Sequence, residues 1–255
     1  MGSELEKKEC KLTAFEDKLN RYVDRSNTIV PSTINLSRTV VHALDIQNLC
    51  LDEKGADYIE SVGGAPSGAE SLVPAKRILE LAREKGIKVN WSMWGMDPDG
   101  NDLGVWGLKY PSWKDADSPF NHGTWNGAIV DGFVPAAGEP VMKKHRNSSF
   151  FGTPFSEYLT QDDAEWLIII GSSTANCVPT TARDGFERGL KVIVDADAGT
   201  AIPVVLPGHS RKAGEDTTPE GYGQYWESLR NIQAQYADVM SSDEFVALVE
   251  RSSKK

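Results

Sequence analysis

The chain has 255 residues, 40% hydrophobic and 25% charged, with 37 acidic against 27 basic side chains and a net charge of −10. This composition excludes disordered, collagen-like and fibrous chains, and the length admits one large domain or two small ones. The acidic balance argues against a nucleic-acid backbone as partner, no apolar run is long enough to span a bilayer, and three cysteines are too few for a disulfide framework.

The opening stretch, MGSELEKKECKLTAFEDKLNRYVDR, is charged and lacks the apolar core of a signal peptide, so a cytoplasmic protein is expected. Its apolar side chains, among them Leu12, Phe15, Leu19 and Tyr22, recur at imperfect helical spacing. Residues 1–38 therefore read as a helix or arm outside the core. TVVHALDI (39–46) is a short, nearly continuous apolar run, the pattern of a strand covered on both faces. After a Gly-Pro loop, SGAESLVPAKRILELAREKG is a helix with Leu72, Ala75, Ile78, Leu79 and Ala82 on one face, stopped at Gly86. IKVNWSM follows as a second strand.

The regular pattern then gives way to a stretch rich in Trp, Gly, Pro and Asp between Trp94 and Pro140. EPVMKK is the third strand, and a short helix begins near Thr153. DAEWLIIIG is the fourth strand, STANCVPTTARDGFERG a turn and helix, and LKVIVDAD the fifth strand. Beyond a loop from Ile202 to Gly223 come the helix GYGQYWESLRNIQAQY, the short strand ADVMSS and the helix DEFVALVE. Alternation of strand and helix predicts one α/β domain over 39–255, Rossmann-like and three-layered, its sheet mostly parallel with about six strands.

In such sheets reactive groups collect at the carboxyl ends of strands. That rule selects Asp45 after strand one, Lys143 and Lys144 at the end of strand three, and Cys177 at the turn after strand four. A free thiol has a pKa of about 8.5 and is only about 3% ionised at neutral pH. A helix N-terminus and a nearby ammonium each raise that fraction. The turn's backbone N–H groups suit an oxyanion, and an adjacent carboxylate can take the thiol proton and return it to a leaving amine. Acyl transfer through a thioester is the functional reading; the bland one is that Cys177 merely packs, as most buried cysteines do.

At this point three segments resemble the isochorismatase-like cysteine hydrolases. LIIIGSSTANCVPTTARDGFERGLKVIVDAD is similar to the family's cysteine signature, HALDIQN to its first-strand motif, and VMKKHRNSSFFGTPFSEYL to its third. The resemblance implies a triad of Asp45 as base and acid, Lys144 as charge partner and Cys177 as nucleophile. Lys144 rather than Lys143 stands at the motif's distance from Phe150. It further implies a cis peptide joining Ser172 to Ser173, and an oxyanion hole made by the N–H groups of Ser173 and Cys177. Members that hydrolyse isochorismate lack the cysteine, so its retention favours cleavage of an amide, carbamoyl or ureido C–N bond in a small molecule. Isochorismate hydrolysis and a non-catalytic binding protein are the alternatives. A homodimer or homotetramer is expected from the same likeness.

The nicotinamidase branch of this family holds a metal through a D-x-H pair, and none of His42, His122, His145 or His209 stands in one, so neither metal nor cofactor is expected. His42 reads as a core residue, His145 as exposed, and His209 as a loop residue. Trp91 and Trp94, leaving strand two, are candidate pocket walls, and Gln47 and Asn147 are placed to hydrogen-bond substrate or orient the triad. Trp106, Trp113 and Trp125 read as packing the insertion on itself or against a second subunit. Arg146 is a partner for a substrate carboxylate or for a surface acid, and Arg183 and Arg188 face solvent or a neighbouring subunit.

Overall fold

Six apolar runs become six strands because the helices cover both faces of the sheet they form. The computed structural model describes residues 15–201 and 223–254. In chain order these contain a helix over residues 15–22 (α1), β1 (Thr39–Leu44), α2 (Asn48–Leu51), α3 (Gly68–Glu84), β2 (Lys88–Trp94), α4 (Trp106–Lys109), β3 (Val141–Lys144), α5 (Phe155–Gln161), β4 (Trp166–Ser172), α6 (Cys177–Glu187), β5 (Lys191–Thr200), α7 (Gln224–Gln235), β6 (Asp238–Met240) and α8 (Ser242–Ser252). Every strand pair is parallel, in the order β3-β2-β1-β4-β5-β6. The order reverses between β1 and β4, and in open α/β sheets that reversal opens a crevice at the carboxyl ends. Among the described residues no helix is long and apolar enough to cross a membrane.

Strand alternation divides the core into two layers. Val40, Leu44, Leu167, Ile169, Val192 and Val194 face α5, α6 and α7, while Val41, Ala43, Ile168, Ile170 and Ile193 face α3 and α8. Each Leu or Ile so buried contributes about 1.5–3 kcal/mol. Helix α3 starts at a capping box, Ser67 Oγ accepting from Glu70 N–H while the Glu70 carboxylate accepts from Ser67 N–H. An equivalent box at Ser241 and Glu244 starts α8.

The N-terminal segment departs from the sequence expectation. Leu19 and Val23 are buried in the first layer, and Phe15 and Tyr22 pack against it, with Tyr22 4.9 Å from the Trp226 ring. Far from lying outside, α1 covers α7, because its apolar residues recur every three to four positions and form one stripe. Cys10, His209, Leu5, Leu12 and nearly all of the 202–223 loop lie outside the described residues.

Candidate active site

The end of β1 turns sharply at Asp45, whose φ of 54° is in the left-handed region that Asp tolerates better than most residues. Its N–H donates to Ser92 O at 3.0 Å, and its carbonyl accepts Gln47 N–H at 2.9 Å. Beside it β4 ends in Gly171 with φ 111°, where a Cβ would stand 2.0 Å from Leu44 O. Only glycine permits β1 and β4 to come this close. The following Ser172–Ser173 peptide is cis, and the chain turns directly into α6, which opens with Cys177.

Three elements thereby converge on one ammonium group. Lys144, fully buried at the end of β3, places Nζ 2.8 Å from Asp45 Oδ2 and 3.2 Å from Cys177 Sγ. It also donates to the carbonyls of Arg146 and Asn147, both at 3.0 Å. Its neighbour Lys143 faces solvent, as strand alternation requires. Val178 N–H is taken by Ser173 O at 3.2 Å and Pro179 has none, so Cys177 carries the N–H that the first turn of α6 does not use internally.

Burial raises the Asp45 carboxyl above the ordinary 3.8, with Lys144 opposing. For Lys144 burial works against the charge, but Asp45 and the sulfur outweigh it and lift the ammonium above 10.5. Burial also pushes the Cys177 thiol up to about 12 against the pull of Lys144. Desolvation thus outweighs the cation at the sulfur, which is the balance expected of a thiol that gives its proton to a neighbouring carboxylate. Because the working form needs Asp45 ionised, kcat/KM should fall on the acid side at a pH above 3.8 and hold on the alkaline side until above 10.5. An alkaline fall near neutral pH would contradict this ordering.

The triad opens into a cavity of about 140 Å³. Asp45, Ser172, Ser173 and Cys177 line one side, and Trp94, Trp106, Trp113 and Phe120 the other. Trp113 sits at the centre of this wall, 5.6 Å from Trp94, 5.1 Å from Trp106 and 4.8 Å from Phe120. Trp106 and Trp113 thus reach the pocket while packing the insertion, and Trp125 stands half-exposed elsewhere. Trp91 does not reach it. Three residues before Trp94 it faces the opposite side of the strand, is fully buried in the second core layer and donates from Nε1 to Glu139 at 2.7 Å.

Gln47 borders the cavity, but its amide is engaged by protein. Its Nε2 donates to Trp94 O at 2.9 Å and Gly127 O at 2.8 Å, and its Oε1 accepts Trp94 N–H at 2.8 Å. It orients the wall rather than presenting a free amide. Asn147 lines the pocket with Oδ1 3.9 Å from Cys177 Sγ.

The remaining candidates stand away from the triad. Arg146 donates to the Asp102 and His145 carbonyls, at 2.9 and 2.7 Å. Arg183 pairs with Asn231, and Arg188 lies 4.5 Å over the Phe150 ring. His145 is only partly exposed, and its Nδ1 lies against the Asp102 carboxylate. With Asp97 these two bring three possible metal donors within 4.8 Å of one another, a grouping among the described residues that no D-x-H spacing foreshadows.

In sequence and fold the chain is similar to known hydrolases. The isochorismatase domain family matches residues 40–244. A ureidoacrylate amidohydrolase of Methylorubrum extorquens is 30% identical over 237 residues, covering 84% of this chain and 87% of its own. An N-carbamoylsarcosine amidase of an Arthrobacter species is 30% identical over 178 residues, 65% of each chain. A solved cysteine hydrolase of Pseudomonas syringae superposes with a TM-score of 0.74 at 25% identity, over 88% of this chain and 98% of that one.

Proposed function

The chain belongs to the isochorismatase family, and on that premise we propose that it hydrolyses the C–N bond of a small linear amide, carbamoyl or ureido compound through a thioester on Cys177. The observation that carries this reading is the single buried ammonium, 2.8 Å from the Asp45 carboxylate and 3.2 Å from the Cys177 sulfur, on the wall of a cavity. The activities named for the ureidoacrylate and N-carbamoylsarcosine relatives support the bond class.

The sulfur attacks the carbonyl carbon as Asp45 takes its proton, so an S–C bond forms and the carbonyl π pair moves to oxygen. The N–H groups of Ser173 and Cys177 receive that oxyanion. The C–N bond then breaks with its electron pair on nitrogen, Asp45 protonates the departing amine, and the thioester remains. Water, deprotonated by Asp45, cleaves the thioester and restores the thiol. Lys144 stays charged throughout and holds the carboxylate and the sulfur in one frame. The aromatic wall excludes water from the acyl-enzyme and offers rigid apolar contact to the substrate.

The test is a product assay over ureidoacrylate, N-carbamoyl amino acids, primary amides and isochorismate. Ammonia from at least one carbamoyl or amide compound is the expected result. Pyruvate from isochorismate with no ammonia from any of the others would overturn the reading.

The site belongs, in this proposal, to one catalytic domain over 39–255 with α1 packed into its core, working in the cytoplasm as a homodimer or homotetramer. Val105, Leu108 and Tyr110, exposed on and beside α4, supply apolar surface for such a contact.

A further inference from the structure

Behind Asp45 runs a file of buried polar groups that the hydrolysis just described does not call on. Ser92 Oγ donates to Asp45 Oδ1 at 3.0 Å, Ser149 Oγ lies 3.4 Å from Ser92 Oγ, and His42 Nε2 lies 2.8 Å from Ser149 Oγ. His42 and Ser149 are 0% exposed, Ser92 1% and Asp45 6%. The imidazole sits in the apolar layer, its ring 4.3 Å from that of Phe155. Hydroxyls and an imidazole in such surroundings are costly unless hydrogen-bonded, so the file exists as a connected unit or as a liability. Strand register assembles it: His42 and Leu44 share one face of β1, Ser92 pairs with Leu44 across to β2, and Ser149 enters from the loop before α5.

An ionised carboxylate only accepts, so the Ser92 hydroxyl proton goes to Asp45. With the Ser149 hydroxyl donating to Ser92, His42 supplies the proton between Nε2 and Ser149. In that assignment the file points from His42 to Asp45, with the imidazole as its Nε2–H tautomer. Burial, reinforced by Lys144, drives the His42 pKa down to about 3, so the ring is a neutral donor at working pH.

We infer that His42, Ser149 and Ser92 form a positioning chain that keeps Asp45 Oδ1 an acceptor and so confines the proton taken from Cys177 to Oδ2. This rests on Asp45 serving Cys177 as its base. Oδ2 is the oxygen 2.8 Å from Lys144 Nζ, which itself lies 3.2 Å from the Cys177 sulfur. The groups that face Asp45 from neighbouring elements are Lys144 on β3, Cys177 on α6 and Ser92 on β2, with Cys50 of α2 more distant. Among these, Ser92 is the neutral donor whose removal changes no charge.

Loss of that donor destabilises the carboxylate, raises the carboxyl pKa and moves the acid limb to higher pH. The limb is read in two ways, by kcat/KM for ammonia release and by the rate of Cys177 alkylation with iodoacetamide, which needs the base but no substrate. Ser92→Ala should move both limbs up by about half to one pH unit. Ser149→Ala should move them less, and the double variant no further than Ser92→Ala alone, since the two act through one chain. Ser92→Thr, which keeps the hydroxyl, should restore the limb. Limbs that stay in place in Ser92→Ala and Ser149→Ala while Tm falls would overturn the inference, and either variant decides it if the other fails to fold. A wild-type protein that releases no ammonia would refute the proposed reaction, and the alkylation limb would still decide the chain.

Discussion

Cys177→Ala should reduce ammonia release by about a million-fold, to assay background, with the fold retained. The variant removes one sulfur atom from the first turn of α6, and Lys144 keeps Asp45 and the two carbonyls of Arg146 and Asn147 as partners. What it loses is the thiol that lines the pocket 3.2 Å from the buried ammonium. Cys50 also lines the cavity and is the natural rival nucleophile. Burial raises its pKa well above 9.0, the nearby Asp57 raises it further, and no cation opposes them. Cys50→Ala should therefore stay within a few-fold of wild type, an order-of-magnitude expectation for a pocket-lining residue outside the chemistry. Intact-mass spectrometry during turnover provides the direct check: an acyl adduct should appear on wild type and on Cys50→Ala and be absent from Cys177→Ala. An adduct that persists without Cys177 would remove the thiol from the mechanism.

The second large effect belongs to Lys144→Met, which should abolish activity and cost about 3–5 kcal/mol at neutral pH, because it strands the Asp45 carboxylate without its counter-charge. The pH dependence follows from direction alone. Burial already holds Asp45 above 3.8, and Lys144 is the main influence pulling it back down. Without the ammonium the folded-state pKa climbs further. A group raised on folding contributes stability that is complete below its unfolded pKa and is lost as pH rises through the folded value. Thermal denaturation should thus show a Tm deficit that is small in acid and grows toward neutrality. The double variant Asp45→Asn/Lys144→Met should recover much of the Tm and none of the activity. A deficit independent of pH would mean that lost packing, not an uncompensated buried charge, accounts for the change.

That Asp45, Lys144 and Cys177 meet was legible in the sequence because each lies at or just past a strand end, and strand ends can be found from local apolar pattern. The strand rule leaves Lys143 and Lys144 both open, and the motif spacing to Phe150 separates them. Strand alternation assigns Trp91 and Trp94 to opposite faces of β2, and pairing them as pocket walls neglected it. The roles of Trp106 and Trp113 lay beyond reach for a different reason: α4 and the turns around it have no period that extends far enough to orient a ring. Asp97, Asp102 and His145 come together only through the folding of that same irregular loop. Gln47 looked like a substrate ligand because position alone does not reveal that Trp94 and Gly127 already occupy its amide. Helix dipole and cation at the thiol can be read from the order of residues, whereas the depth of burial that opposes them cannot. Ser149 and Ser92 lie 57 residues apart and meet only across the sheet.

The pocket is assembled from two kinds of chain. The proposed reacting groups come from the ends of β1 and β3 and from the turn after β4, brought together from distant parts of the sequence. The aromatic wall comes from one continuous stretch between Trp94 and Phe120. What is done to a substrate and which substrate is admitted are therefore written in separable pieces of the gene. Exchanging that one stretch for its counterpart in a relative is a single-segment graft, and it should alter selectivity while the bond-breaking apparatus stays untouched.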